Sequence, residues 1–261
     1  MTTVAAPALP VQAVAREERF YVRMAATCLA VAVIGFLPSY WLPMYGGTLH
    51  VAPLAHVHAV LFFGWMVFFV VQTSLVAGGR LVRHREMGVA GVALATAMVL
   101  VGLGMAINSM KLREAAGLGD AARAFSSVSV TGILMFAVLV AAAILNTRKP
   151  EVHKRLMLVA SVSLLQAGVG RWFAYFLAPP RPPGALGLPP LPPVAVTVMP
   201  GLLIDLLIVA GMIHDRRTRG RVHPAYWMAG GAVLALQVLR VPLSTTQSWD
   251  HVARWLLALS P

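Results

Sequence analysis

Apolar residues along this chain come in long runs, not in the alternation of strands or the narrow stripe of a surface helix. Seven runs lie at 21–44, 54–77, 87–107, 125–145, 156–177, 194–213 and 225–241. A helix rising 1.5 Å per residue needs about 20 apolar residues to cross a hydrocarbon core of about 30 Å. The second, fourth and sixth runs are the cleanest. The seventh is the weakest, because Gln237 and Arg240 interrupt it and Pro242 ends it. The pattern predicts an all-α integral membrane bundle of seven transmembrane helices, or six if the last run does not span.

The polar positions between the runs add an orientation. Lys and Arg gather in every second loop. The N-terminal arm holds Arg16, Arg19 and Arg23, and the loop after the second run holds Arg80, Arg83 and Arg85. Arg148, Lys149, Lys154 and Arg155 follow the fourth run, and Arg216, Arg217, Arg219 and Arg221 follow the sixth. The other side holds only Lys111, Arg113, Arg123, Arg181 and Arg254. The positive-inside rule then places the N-terminus and every basic loop in the cytoplasm. The organisation expected is an N-terminal arm at 1–20, a helical domain at 21–243 and an outer-side segment at 244–261. Residues 1–15 lack a positively charged leader region, so the first helix is expected to remain as an anchor.

Composition agrees with this picture. The chain is 59% hydrophobic and 11% charged, against about 25% charged in soluble domains. It cannot cover a water-facing surface, and its surplus apolar residues must face lipid. The net charge of +12 would suggest nucleic acid in a soluble protein, but charges confined between spans exclude that reading. The single cysteine, Cys28, excludes an intramolecular disulfide and a cysteine metal knuckle, and reads as a small core residue. The proline-rich stretch 178–193 is expected to be an extended outer loop. The stretch 108–124 carries a weak interfacial-helix pattern. Trp41, Trp227, Trp249 and Trp255 fall where an aromatic belt is expected. Gly102, Gly104, Gly230 and Gly231 suit close helix packing.

Three inner loops share a pattern, a basic residue followed four positions later by histidine: Arg80 to His84, Lys149 to His153 and Arg219 to His223. They suggest three helix-hairpin repeats after the first helix, although basic loops produce such matches by chance. His84, His153 and His223 begin helices and His214 ends one, so all four share one membrane depth. Imidazoles at one depth are candidate ligands for zinc, copper or iron. The plainer alternative is interfacial histidines in wet loops beside lipid phosphates.

His50, His56, His58 and His251 lie on the outer side. His58 is about 12 Å from the centre of the second helix, by the rise per residue, and is a candidate haem ligand. His56 and His58, two apart, point to nearly opposite faces and do not chelate one ion on a regular helix. Four histidines at each end is also the arrangement of two-haem membrane cytochromes. Three charges fall inside runs: Asp205 near the middle of the sixth, and Arg171 and Arg240 about 7–9 Å outward from their helix centres. Each costs at least about 2.5–3.5 kcal/mol unless paired or hydrated. Gln166 and Gln237 lie at similar depth. A structural reading pairs Asp205 with Arg171 or Arg240. A functional reading gives the excess positive charge to a haem propionate, a substrate carboxylate or a quinone carbonyl. No phosphate loop, HExxH or CxxC is present.

The phrases HVHAVLFFGW from His56, HREMG from His84, HKRLML from His153 and GRVHPA from Gly220 resemble a group of uncharacterised bacterial polytopic membrane proteins, over roughly residues 55–230. The resemblance implies a bacterial inner-membrane location and emphasises His58, His84, His153 and His223. Together these readings give a leading expectation and a competitor. The first is a membrane protein holding haem or a transition metal through histidines, for electron transfer or oxidase maturation, with a redox partner or quinone. The second is a small-molecule transporter or sensor using Asp205, Arg171 and Arg240. Whether the chain is an enzyme is left open.

Overall fold

A computed structural model of the protein describes residues 11–177 and 191–259, with side chains from residue 17 onward. Most of the proline-rich stretch, and Arg181 with it, lies outside the described residues. The described residues form helices and no strand. They are α1 (Val11–Gly35), a π-turn (Leu37–Trp41), α2 (Leu42–Tyr45), α3 (Pro53–Ala77), α4 (Leu81–Ala115), α5 (Gly119–Leu145), α6 (Pro150–Ser163), α7 (Gln166–Leu177), a 3₁₀ turn (Val194–Thr197), α8 (Val198–Arg219), α9 (Pro224–Leu243) and α10 (Gln247–Ala258). Six are long and apolar enough to cross a membrane, counting α6 and α7 as one, and the bent pair at the N-terminus makes a seventh. The irregular span is therefore the first, whereas α9, the weakest run in the sequence, qualifies by itself.

Proline explains the bend. Pro38 has no N–H to donate to the Ile34 carbonyl, so the α-ladder breaks there and the chain turns by 45° through the π-turn. The released Ile34 oxygen accepts a hydrogen bond from Trp172 Nε1 at 2.8 Å, which ties α1 to α7. Beside it, α1 and α7 meet at Gly35 and Gly168; a Cβ on Gly35 would lie 2.7 Å from the Gly168 Cα. Only glycine permits that approach. Gly102 and Gly230 are less tight, a Cβ there meeting side-chain atoms of Ile133 and Ile208 at 3.0 and 3.1 Å, whereas Gly104 and Gly231 face open space.

The hairpins α3–α4, α5–α6 and α8–α9 pack as neighbours, and α6 occupies the middle, against α1, α5, α8 and α9. In α6, Leu158, Val159, Ala160, Ser161 and Val162 are all fully buried, covering every side of the helix. The span formed by α6 and α7 is the most buried of the six and less apolar than those of α3, α4, α5 and α8, since it meets protein where they meet lipid. Cys28 is a free, buried core residue, as expected. The stretch 108–124 forms no separate interfacial helix, because α4 continues to Ala115 and α5 starts at Gly119.

At the end of the bundle away from the basic loops, α10 docks on α4 and α5. Trp249 is buried, not part of a belt, and its Nε1 donates to the Arg123 carbonyl at 2.9 Å. Arg123 binds Asp250 at 2.6 Å and also contacts Glu114 and Asp120. Arg254 first, and Arg123 after it, hold the Asp250 carboxyl below the usual aspartate range. A lowered folded-state value means this attachment is fully present above the ordinary aspartate range and is lost as pH falls through the lowered value. Asp250→Asn is expected to loosen α10 at neutral pH. A spin label at position 248 (Ser248→Cys in a Cys28→Ala background) checks this; equal mobility at pH 7 and pH 3 would count against it.

Candidate functional site

Two imidazoles meet at the arginine-rich end of the bundle. His84 and His153 each occupy the fourth position of their helices, α4 and α6, and their ring centroids stand 6.3 Å apart at 80°. His153 Nδ1 lies 2.9 Å from the Ala143 carbonyl on α5. A carbonyl oxygen only accepts, so Nδ1 carries a proton, which in the neutral ring leaves the lone pair on Nε2. His84 Nδ1 is buried without a hydrogen-bond partner among the described residues. So are both amide atoms of Gln72 on α3, a side chain only 7% exposed. The sequence reading passed over Gln72; a lone amide inside an otherwise apolar run is the signal that marks it.

The other two inner histidines do not join this pair. His223 is the N-cap of α9, its Nδ1 accepting from the Ala225 N–H at 3.1 Å. Burial, with Arg155 a further cause, keeps its imidazole below the ordinary histidine value, and the neutral ring is what an acceptor cap requires. His214 stacks on Phe20 at 3.8 Å, beside a shallow cavity of about 370 Å³ that Arg19 and Arg23 also line. Among the described residues no three His, Cys, Asp or Glu side chains converge as a metal site. The four-histidine inner set is thus reduced to one pair.

The basic loops are less solvated than their composition suggests. Arg155 and Asp215 are both fully buried and joined by two hydrogen bonds, at 2.8 and 2.5 Å. Asp215 also accepts from the His223 N–H at 3.0 Å, and Arg155 reaches Glu151 at 2.7 Å. Buried Glu17 on α1 takes Lys154 and Arg219, both at 2.9 Å. One network therefore pins α1, α6, α8 and the start of α9. Asp215, inside the run HDRRTRGR, was not distinguishable in sequence from a solvated charge.

In the other half of the bundle the expected charges separate. Arg171 lies over the Phe36 ring, 4.4 Å from its centroid. His58 stacks on Phe62 at 4.0 Å with Nδ1 buried and unpartnered among the described residues. His56 Nδ1 pairs with Tyr40 Oη at 2.9 Å, and His50 and His251 are exposed. Asp205 makes no ion pair with Arg171 or Arg240 among the described residues; its Oδ1 accepts from Gln237 Nε2 at 3.2 Å. Arg240 donates to Thr197 Oγ1 at 3.2 Å, and Gln166 Nε2 donates to the Thr197 carbonyl at 2.5 Å.

The 6.3 Å between the two rings can be compared with the spacing of two ligands on one ion. With metal–nitrogen bonds of about 2.0–2.1 Å, and roughly another ångström from nitrogen to ring centre, imidazoles opposed across one ion stand about 6 Å apart. The Ala143 carbonyl stands where the outer-shell partner of a ligating histidine belongs. Compared with known proteins, the chain matches no family, no curated protein and no solved structure.

Proposed function

We propose that this protein binds a transition metal, as a copper ion or a haem iron, between His84 and His153, and serves electron transfer or oxidase maturation in the bacterial inner membrane with its N-terminus inside. The observation that carries the reading is the facing pair itself: two imidazoles from different hairpins, one with its tautomer set by the Ala143 carbonyl. His84 and His153 would hold the metal, as copper or as a haem iron, through ring nitrogens. The His84 ring is hydrogen-bonded to the backbone of Gln72 on α3, whose side chain is buried. The bound metal would supply one-electron chemistry, held by two half-buried imidazoles.

The test is an oxidised and dithionite-reduced spectrum of detergent-purified protein, with metal analysis on the same sample. Expected is either a Soret band with sharp reduced peaks or about one copper per chain. His84→Ala and His153→Ala should each lower occupancy by about tenfold or more, the range for losing metal-ligand or outer-shell support, while His214→Ala leaves it unchanged. A colourless, metal-free preparation from cells supplied with haem and copper would overturn the proposal.

A further inference from the structure

Arg240 on α9 is 2% exposed, and no carboxylate among the described residues lies within ion-pair distance of it. Its single recorded bond, to Thr197, uses a terminal nitrogen, and its Nε–H is buried without an acceptor among the described residues. One turn back, Gln237 is 3% exposed; it gives its amide N–H to Asp205 and leaves Oε1 buried without a donor. These are neighbours three apart on one helix face. The approach is built in: a Cβ on Gly201 of α8 would lie 2.7 Å from Gln237 Cδ, so the glycine makes room for the amide. Burying an unmatched donor beside an unmatched acceptor is unfavourable for the bundle alone, and the pair matches a ligand that offers the reverse, an acceptor beside a donor.

Charge narrows the class. Arg240 and Asp205 already balance within the site, so a carboxylate ligand would bring an uncompensated negative charge beside Asp205. A neutral ligand would not. Leu202 and Leu206, which flank Asp205 on α8, are exposed on the bundle surface, so the approach is from lipid. We infer that Arg240 and Gln237 bind a neutral, membrane-soluble molecule that pairs a carbonyl with a hydroxyl, the headgroup chemistry of a quinone–quinol couple. Asp205 and Thr197 position the two groups, and Arg171, held over Phe36, takes no part. This site is independent of the histidine pair and stands or falls separately.

The experiment is equilibrium binding of a short-chain benzoquinone and its quinol to the full chain in nanodiscs of zwitterionic lipid, read by tryptophan quenching. A photoreactive azido analogue maps the site by mass spectrometry. Expected are saturable binding, label on the peptides containing Thr197, Asp205 or Gln237, and about tenfold weaker binding in Arg240→Lys and in Gln237→Leu. Arg171→Gln should bind as wild type. If Arg240→Lys fails to fold, Gln237→Leu and Thr197→Val, which removes only the hydroxyl beneath Arg240, carry the test. Absence of saturable binding, label elsewhere, unchanged affinity in the folded variants, or displacement of the quinone by octanoate would each overturn the inference, the last by showing an anion site.

Discussion

Replacing Arg155 with methionine is expected to destabilise the bundle by about 3–5 kcal/mol, because it leaves a buried carboxylate without its counter-charge. Both Arg155 and Asp215 have no exposed surface, so water cannot take the place of the missing partner. Asp215→Leu alone should cost less, because Glu151 at 2.7 Å and Glu17 at 3.7 Å still face the guanidinium. The two together should recover most of the loss, since a desolvated pair of charges gains little over a well-packed apolar pair of the same volume. Glu151 tempers that recovery, as it also bonds Arg155 and contacts Arg219. The measurement is a double-mutant cycle on thermal unfolding in detergent. Single variants within about 1 kcal/mol of wild type would mean that this end of the bundle is wetter than its packing indicates.

Gly35→Val should produce the second large effect, with Gly35→Ala as its milder form. The added Cβ would sit 2.7 Å from the Gly168 Cα and 2.8 Å from its carbonyl carbon. Both are backbone atoms, so no rotamer change relieves the clash, and one helix must move. Overpacking of this kind costs about 1–3 kcal/mol for one added methyl. Separation of α1 from α7 would stretch the Trp172–Ile34 hydrogen bond and lift Arg171 from Phe36. Gly64, whose Cβ direction is open, is the control: Gly64→Ala should be neutral or stabilising, by up to about 1 kcal/mol of helix propensity. Equal stability of the Gly35 and Gly64 variants would remove the argument for close backbone contact.

The candidate sites were partly legible in the sequence, for reasons that differ by residue. His84 and His153 were identifiable because a basic loop followed by histidine recurs at each helix start. His223 has the same basic flank yet serves as a cap. The difference is one of register: His223 precedes Pro224 and stands outside its helix, whereas the other two lie a full turn inside theirs. Arg240 and Asp205 were marked by their cost inside an apolar run, but Gln237 takes the Asp205 contact that an arginine was expected to make. An amide three positions from Arg240 is within reach of α8 only because Gly201 has no side chain.

By itself, the sequence determined the helical class, the number of apolar runs and the ends at which charge collects. These follow from length and hydropathy, since in lipid a backbone has to satisfy its own hydrogen bonds and the helix is the local way to do so. Only the tertiary structure decided which charges are buried partners, which histidines face each other, and that α6 is the central helix. Those facts depend on rotation and register between helices tens of residues apart, set by small residues such as Gly35, Gly168 and Gly201 whose effect appears only when another helix is brought against them.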